Sequence, residues 1–410
     1  MIDTLILNRN IYLDQIQKLA TKAKQEKRLL KSSPVVEGLD LFTILSNADM
    51  VIDKIISTLK NPTLNLEASK MIQLETAPGK IRKIDILPWP EKLLLMGFQR
   101  TLADSFQPLF SKKLYSFIKK RSNMQAKVIL LDFLKKNKIC WVAKRDISGY
   151  GDNIHKDILL QKISLYLDPL ANPISYKLIT YAVGEKPIGI PTGSPLTPLF
   201  ENIYLMELDQ LSESYAATDF FYARYGDDFV FASPSKELFE DFELKSSRLI
   251  EMLKLTVAPH KKINLLLKSP EQNFDWLGSK FSQNGLIGTR QKHIQQFKLS
   301  YGTKIKRLVI RLAKTKKIEE AMPILSLALN TYLSSKSNGL LSTLVYHRTD
   351  PRDVKEIDKQ IRILLSNWMR KYFKINRRQA WKHVRQLEIK SLNFQRRKLC
   401  RLQKFRAIAT

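Results

Sequence analysis

The 410-residue chain carries 69 Lys+Arg against 39 Asp+Glu, a net charge of +30, with 44% apolar residues. That length and apolar content allow two or three domains with proper cores, which excludes a disordered or disulfide-stapled small protein. Two distant cysteines (Cys140 and Cys400), five scattered histidines and no long apolar run argue against a disulfide framework, a zinc site or a membrane span. The expectation is a soluble, cytoplasmic protein without membrane attachment whose partner is a polyanion, nucleic acid first. Residues 301–410 hold 27 Lys+Arg against 7 Asp+Glu, so +20 of the +30 lies in the last quarter.

From Asp3 to about Leu74 the apolar spacing predicts helices, with Leu13, Ile16 and Leu19 on one face. Ala77-Pro-Gly79 reads as a turn, Lys80–Ile86 alternates like a strand, and Pro88-Trp-Pro90 ends it before a helix from about Glu91 to Phe110. Ile139–Asp146 is a buried strand ending in an acid. Helices are predicted over 153–167 and 195–208, the second entered through the loop Gly189-Ile-Pro191-Thr192-Gly193-Ser194. Its glycines let backbone approach a nucleotide or template base, and Ser194 is placed to cap a helix beginning at Pro195. In Tyr222–Ser233, aromatic and β-branched runs flank Gly226-Asp227-Asp228, predicting a hairpin with two acids at its tip. A helix near 236–254, strands at 263–267 and 274–281, and helices after 290 follow, broken by a loop near Arg348–Asp353. The class is α+β: a mixed catalytic core with an all-α basic appendage.

Adjacent carboxylates repel, so a turn that pairs them usually has a cation nearby. Asp146, leaving a buried strand, is placed to join Asp227 and Asp228 around two Mg²⁺ at roughly 3.5–4 Å, the arrangement of in-line phosphoryl transfer. Asp146 alone would equally serve as a helix cap or surface acid; the combination is the signal.

In order and spacing these blocks resemble reverse transcriptases: an Asp-ending strand, a Gly-x-Pro-x-Gly loop followed by Asn202-Ile-Tyr-Leu205, and a Tyr-x-Asp-Asp hairpin. Leu255–Lys262 is similar to the family's lysine-bearing loop, Phe274–Gly278 to its primer grip, Lys80–Lys92 to its fingers hairpin, and Tyr115–Ser122 to a block of retron and group II intron enzymes. The likeness covers roughly 75–285.

The resemblance implies a right-hand polymerase: an N-terminal helical extension (1–74), fingers (75–140, with a portion between 160 and 188), palm (141–285) and an α-helical thumb (286–410). It implies Asp146, Asp227 and Asp228 as catalytic, Mg²⁺-binding carboxylates. Arg82, with Lys83 or Lys92 as alternates, would meet the incoming triphosphate. Thr192 and Gly193 would line the nucleotide pocket, and Lys261 or Lys262 would protonate pyrophosphate. Trp276, Leu277 and Gly278 would grip the primer.

Two departures stand out. Thr192 replaces a common glutamine. Gly151, five residues after Asp146, stands where relatives place an aromatic that excludes the ribose 2′-hydroxyl; Tyr150 would substitute if the turn were shifted. Asp152 adds an Asp-x5-Asp pattern seen in viral RNA polymerases.

Arg370, Lys371, Arg377, Arg378, Arg396 and Arg397 are candidate RNA- and DNA-binding residues, and the aromatics among them (Trp368, Trp381) read as helix core. The implied activity is RNA-directed DNA synthesis from dNTPs on a structured noncoding RNA template, in phage defence. The expected primer is a nucleic acid or a protein tyrosine such as Tyr115 or Tyr301, and the expected partners include a second protein or a second copy of the chain. With the thumb-like segment last, no ribonuclease H, integrase or endonuclease is expected. The alternatives are an RNA-dependent or sugar-tolerant polymerase, and a non-catalytic, maturase-like RNA-binding protein.

Overall fold

A computed structural model describes residues 2–25, 41–77, 80–283, 288–289, 291–334 and 351–387. The chain divides into two compact units, 1–123 with 142–264, and 124–141 with 265–410.

The first unit opens with α1 (Ile2–Ile6), α2 (Arg9–Gln25), α3 (Leu41–Ser46) and α4 (Ala48–Lys60). Helix α4 buries Val51, Ile52, Ile55 and Leu59, a stripe at three- and four-residue spacing. The helical pattern stops there. Residues expected to continue it instead form β1 (Lys70–Ala77), which pairs antiparallel with β2 (Lys80–Ile86) from Lys70↔Ile86. Met71-Ile-Gln-Leu fits either period, and the β2 partner decides. Pro78 and Gly79 lie outside the described residues.

Helix α5 (Trp89–Phe106) follows, with Pro90 in its first turn. Gly97 is fixed by packing, since a Cβ there would stand 2.5 Å from the Tyr12 ring. Helix α6 (Asn123–Lys136) belongs to the second unit apart from its first residue.

The central sheet of the first unit has the order β4-β5-β3-β6. Its strands are β3 (Cys140–Asp146), β4 (Phe221–Tyr225), β5 (Asp228–Ser233) and β6 (Ile263–Leu267); β3 enters the unit at Val142 and β6 leaves it after Asn264. Helices α7 (Lys156–Ser164), α8 (Pro173–Val183), α9 (Thr197–Tyr204), α10 (Met206–Leu211) and α11 (Lys236–Met252) complete the unit. Phe220, Phe231, Phe239 and Phe242 form an aromatic cluster between the hairpin and α11, whose N-terminus Ser235 caps through Leu238 N–H. Helix α9 starts at Thr197, not Pro195. Ser194 Oγ instead accepts from Leu196 N–H inside the loop, because Pro195 can donate nothing there.

The second unit carries a small antiparallel sheet, β7 (Asn273–Trp276), β8 (Ser279–Ser282) and β9 (Gly288–Thr289), with helices α12 (Gln291–Thr315), α13 (Ile318–Ser334), α14 (Pro351–Phe373) and α15 (Arg377–Gln386). Pro351 starts a helix where a loop was expected. Val309, Leu325, Leu329, Val354, Leu365, Met369 and Val384 share one core, with Trp368 and Trp381 packed against it, as their helical spacing predicts. Asn376 and Gln379 form a capping box at the start of α15.

Candidate active site

Tyr225 pairs with Asp228 across the β4–β5 hairpin, leaving Gly226 and Asp227 as a two-residue turn. Gly226 has φ of +66°, the residue type and sign of a type II′ turn at its first central position. The turn is held from behind. Gly226 N–H donates to Ser116 Oγ at 2.9 Å, and Gly226 C=O accepts from Arg224 Nη1 at 3.0 Å. Arg224, fully buried, forks onto Asp209 with Nε–Oδ1 at 2.8 Å and Nη2–Oδ2 at 2.6 Å, while Tyr222 Oη donates to Asp209 Oδ1 at 2.8 Å. Asn202 Nδ2 closes the frame on Ser116 C=O at 3.0 Å. The Tyr115–Ser122 block is thereby explained: Leu114 bridges β4 at Arg224, and Ser116 pins the turn.

Asp146 ends the neighbouring strand, and Ile147 N–H donates to Asp227 C=O at 3.0 Å, which ties the strand end to the turn. The three acids therefore belong to one corner of the sheet. Burial, then repulsion from Asp146, pushes the Asp227 carboxyl above its usual range. Burial also pushes Asp228 up to about 7, against the pull of Lys144, whose Nζ stands 3.6 Å from Oδ2. Among the described residues, Asp228 Oδ1 is buried with no hydrogen-bond partner.

Of the two candidate lysines, Lys261 reaches Asp146 Oδ1 at 2.6 Å, while Lys262 lies 3.2 Å from Glu243. As the side chains stand, no group of three acids, histidines or cysteines among the described residues is closed around a cation position. Lys144 and Lys261 supply the positive charge instead. The donor chemistry still fits a hard divalent ion: acceptor-only oxygens, mutual repulsion and one orphaned buried oxygen.

The loop before α9 is clamped to β2. Asp85 N–H donates to Thr192 C=O at 2.7 Å, and Thr192 Oγ1 donates to Lys83 C=O at 2.5 Å. Gly193, with φ of +110°, would put a Cβ 2.5 Å from Asp85 C=O. The close approach that requires glycine is therefore to the chain's own strand, and Thr192 spends its polar groups there. Lys83 is exposed; Arg82 pairs with Leu74 in the hairpin, and its side chain lies outside the described set.

Tyr150 is buried, its hydroxyl donating to Glu201 C=O and its ring edge-on to Tyr204 at 6.5 Å. That overturns it as a stand-in for an aromatic at 151. A side chain at Gly151 would instead meet Glu201, whose Oε1 is 3.4 Å from the Cβ position. Burial, then repulsion from Asp227, raises the Glu201 carboxyl to about 7. Glu201, Arg224, Asp209 and Ser116 were not singled out from the sequence. An arginine two residues before Gly226 and an acid inside an apolar helix were the available signals.

In the second unit, Trp276 is buried and Leu277 and Gly278, both at positive φ, make the β7–β8 turn. Arg370, Lys371, Arg377 and Arg378 are exposed; Arg396 and Arg397 lie outside the described residues. Tyr115, one of the candidate priming tyrosines, is buried, and the side chain of Tyr301 lies outside the described residues. No described helix is long and apolar enough to cross a membrane.

An acid-tipped hairpin beside an acid-ended strand, within an α+β core, is the arrangement that the likeness to polymerases predicts. Residues 60–281 match the family model for reverse transcriptase (RNA-dependent DNA polymerase), and the chain belongs to that family, with its right-hand polymerase fold. It is 28% identical over 223 residues (51% of this chain, 27% of the relative) to an uncharacterized 91 kDa protein in cob intron of Schizosaccharomyces pombe. It is 29% identical over 168 residues (39% and 28%) to the group II intron-encoded protein LtrA of Lactococcus lactis subsp. cremoris. The chain thus matches little more than a quarter of these relatives' length. Among solved structures, apo telomerase from Candida Tropicalis aligns over 77% of this chain and 67% of its own, at 12% identity and a TM-score of 0.45. Telomerase from Candida albicans with a telomeric RNA fragment aligns over 85% and 69%, at 10% and 0.44.

Proposed function

We propose that the chain is an RNA-directed DNA polymerase that extends a primer 3′ end with dNTPs. The observation that carries this reading is the corner formed by Asp146, Asp227 and Asp228, two of them with carboxyls raised by burial and crowding. These three residues would hold Mg²⁺, which supplies charge neutralisation for an attacking 3′-hydroxyl and for leaving pyrophosphate. Arg224 and Ser116 hold the turn so that neither aspartate has to be positioned during reaction. Lys261, whose Nζ lies 2.6 Å from Asp146, is proposed to hand a proton to the departing phosphate, and Lys262, which pairs with Glu243, is proposed not to. Arg82 and Lys83 on β2 are proposed to meet the triphosphate, and Trp276–Gly278 the primer.

The four-part division into extension, fingers, palm and thumb is proposed with the boundaries given by the sequence. Exposed Arg370, Lys371, Arg377 and Arg378 are proposed to neutralise phosphates of an RNA template and its DNA product. A dedicated noncoding RNA in antiviral defence is the setting we favour, on the divergence of Ser148-Gly-Tyr-Gly151 from intron and retron enzymes.

The test follows incorporation of labelled dNTPs and NTPs by the purified chain with its co-purifying nucleic acid and Mg²⁺. Incorporation of dNTPs that Asp227→Ala/Asp228→Ala abolishes supports the reading, and sequencing the bound RNA identifies the template. RNA binding without incorporation would favour the maturase-like alternative.

A further inference from the structure

We infer that Glu201 reads the sugar of the incoming nucleotide, accepting a hydrogen bond from its 2′-hydroxyl across the space that Gly151 leaves open. This deepens the polymerase reading and rests on it for the presence of a nucleotide at the corner.

The argument starts from placement. Glu201 sits on α9 between Phe200, which is buried in the core, and Asn202, which braces the hairpin through Ser116. Its backbone carbonyl accepts from the Tyr150 hydroxyl, which anchors the residue through its main chain and leaves the carboxyl uncommitted by that bond. The carboxyl projects toward two things: Asp227, whose charge it feels, and the position a side chain at Gly151 would occupy, 3.4 Å from Oε1. It makes no hydrogen bond among the described residues.

Chemistry narrows what it can meet. A nucleoside triphosphate offers an anionic phosphate chain, a base edge and neutral sugar hydroxyls. A carboxyl beside Asp227 repels the phosphates, and the base lies at the end of the nucleotide away from them. The sugar joins the two and carries the hydroxyl donors. A carboxyl oxygen accepts from a hydroxyl in either protonation state. The volume at 151 holds no Cβ, so nothing bulky stands between the carboxyl and a 2′-oxygen. An acceptor and free space there stabilise a bound ribose, so this polymerase rejects NTPs less strongly than one with an aromatic at that position, while still accepting dNTPs.

The experiment measures the ratio of kcat/KM for NTP and dNTP in single-nucleotide incorporation, for the wild type, Glu201→Ala, Glu201→Gln and Gly151→Phe. In parallel, Kd values for ATP and dATP are measured at equilibrium with Ca²⁺, where no turnover is needed, and thermal melts confirm folding. The NTP:dNTP ratio is expected to fall about ten-fold or more in Glu201→Ala. In Glu201→Gln, which keeps an acceptor, it should stay within about three-fold of wild type. In Gly151→Phe it should fall by occlusion. An unchanged ratio in folded Glu201→Ala, in both incorporation and binding, overturns the inference. Incorporation absent from the wild type while the ATP:dATP binding ratio still falls in Glu201→Ala would remove the polymerase reading and leave the sugar contact standing. Absence of nucleotide binding as well would remove both.

Discussion

Arg224 and Asp209 form a two-pronged ion pair with neither side chain exposed to solvent, directly beneath the Gly226 turn. A buried pair of this kind adds little net stability, but removing one partner strands the other charge, at a cost of about 3–5 kcal/mol. Asp209→Ala should therefore lower the melting midpoint steeply or prevent folding. Arg224→Lys keeps the charge but loses the fork and the hold on Gly226 C=O. It should fold with a lower midpoint and lose incorporation more than ten-fold, read by thermal melts beside primer extension.

Asp228 is buried near Asp146 and Asp227 with one orphaned oxygen, and its carboxyl is raised to about 7. The folded state therefore binds that proton more tightly than the unfolded chain does. Stability from this group is full below the unfolded value near 4 and declines as pH rises through about 7. Asp228→Asn should raise stability by roughly 1–3 kcal/mol in metal-free buffer at pH 8, and the melting midpoint with it, while abolishing incorporation. A melt in EDTA showing destabilisation would contradict this.

Lys261 and Lys262 are neighbours in sequence with separate partners, Asp146 and Glu243. Lys261→Ala should reduce incorporation at least ten times more than Lys262→Ala does. Equal losses would mean that the loop acts only through its net charge.

Much of the site was legible because its signals are local. Asp227-Asp228 between aromatic runs, and Asp146 at the end of a strand, are short patterns whose geometry follows from strand and turn chemistry. The strand at 70–77 was not legible, since its pairing with β2 outweighs a pattern that fits a helix nearly as well. Arg224 and Asp209 lie fifteen residues apart, and their partnership comes from α10 returning beneath the hairpin. The role of Thr192 changed for a similar reason: its hydroxyl and carbonyl are claimed by a strand more than a hundred residues upstream. Tyr150 and Gly151 are adjacent, yet one faces the core and the other the corner, a difference the turn after β3 sets and composition does not.

Gly193 should be the least substitutable residue of its loop. Gly193→Ala places a methyl against Asp85 C=O at a positive φ, both unfavourable. The loop is expected to detach from β2, with loss of incorporation in a protein that stays folded by circular dichroism. Retained activity would mean that the clamp is dispensable.

The clamp also makes the β1–β2 hairpin a lever. Two hydrogen bonds join β2 to Thr192, and only four residues separate Thr192 from the first turn of α9. A displacement of the hairpin, such as a strand of nucleic acid laid against it, is transmitted along that short arm to the helix bearing Glu201 and Asn202. Occupancy at one edge of the unit would then be felt at the aspartate turn without any rearrangement of the sheet that carries it.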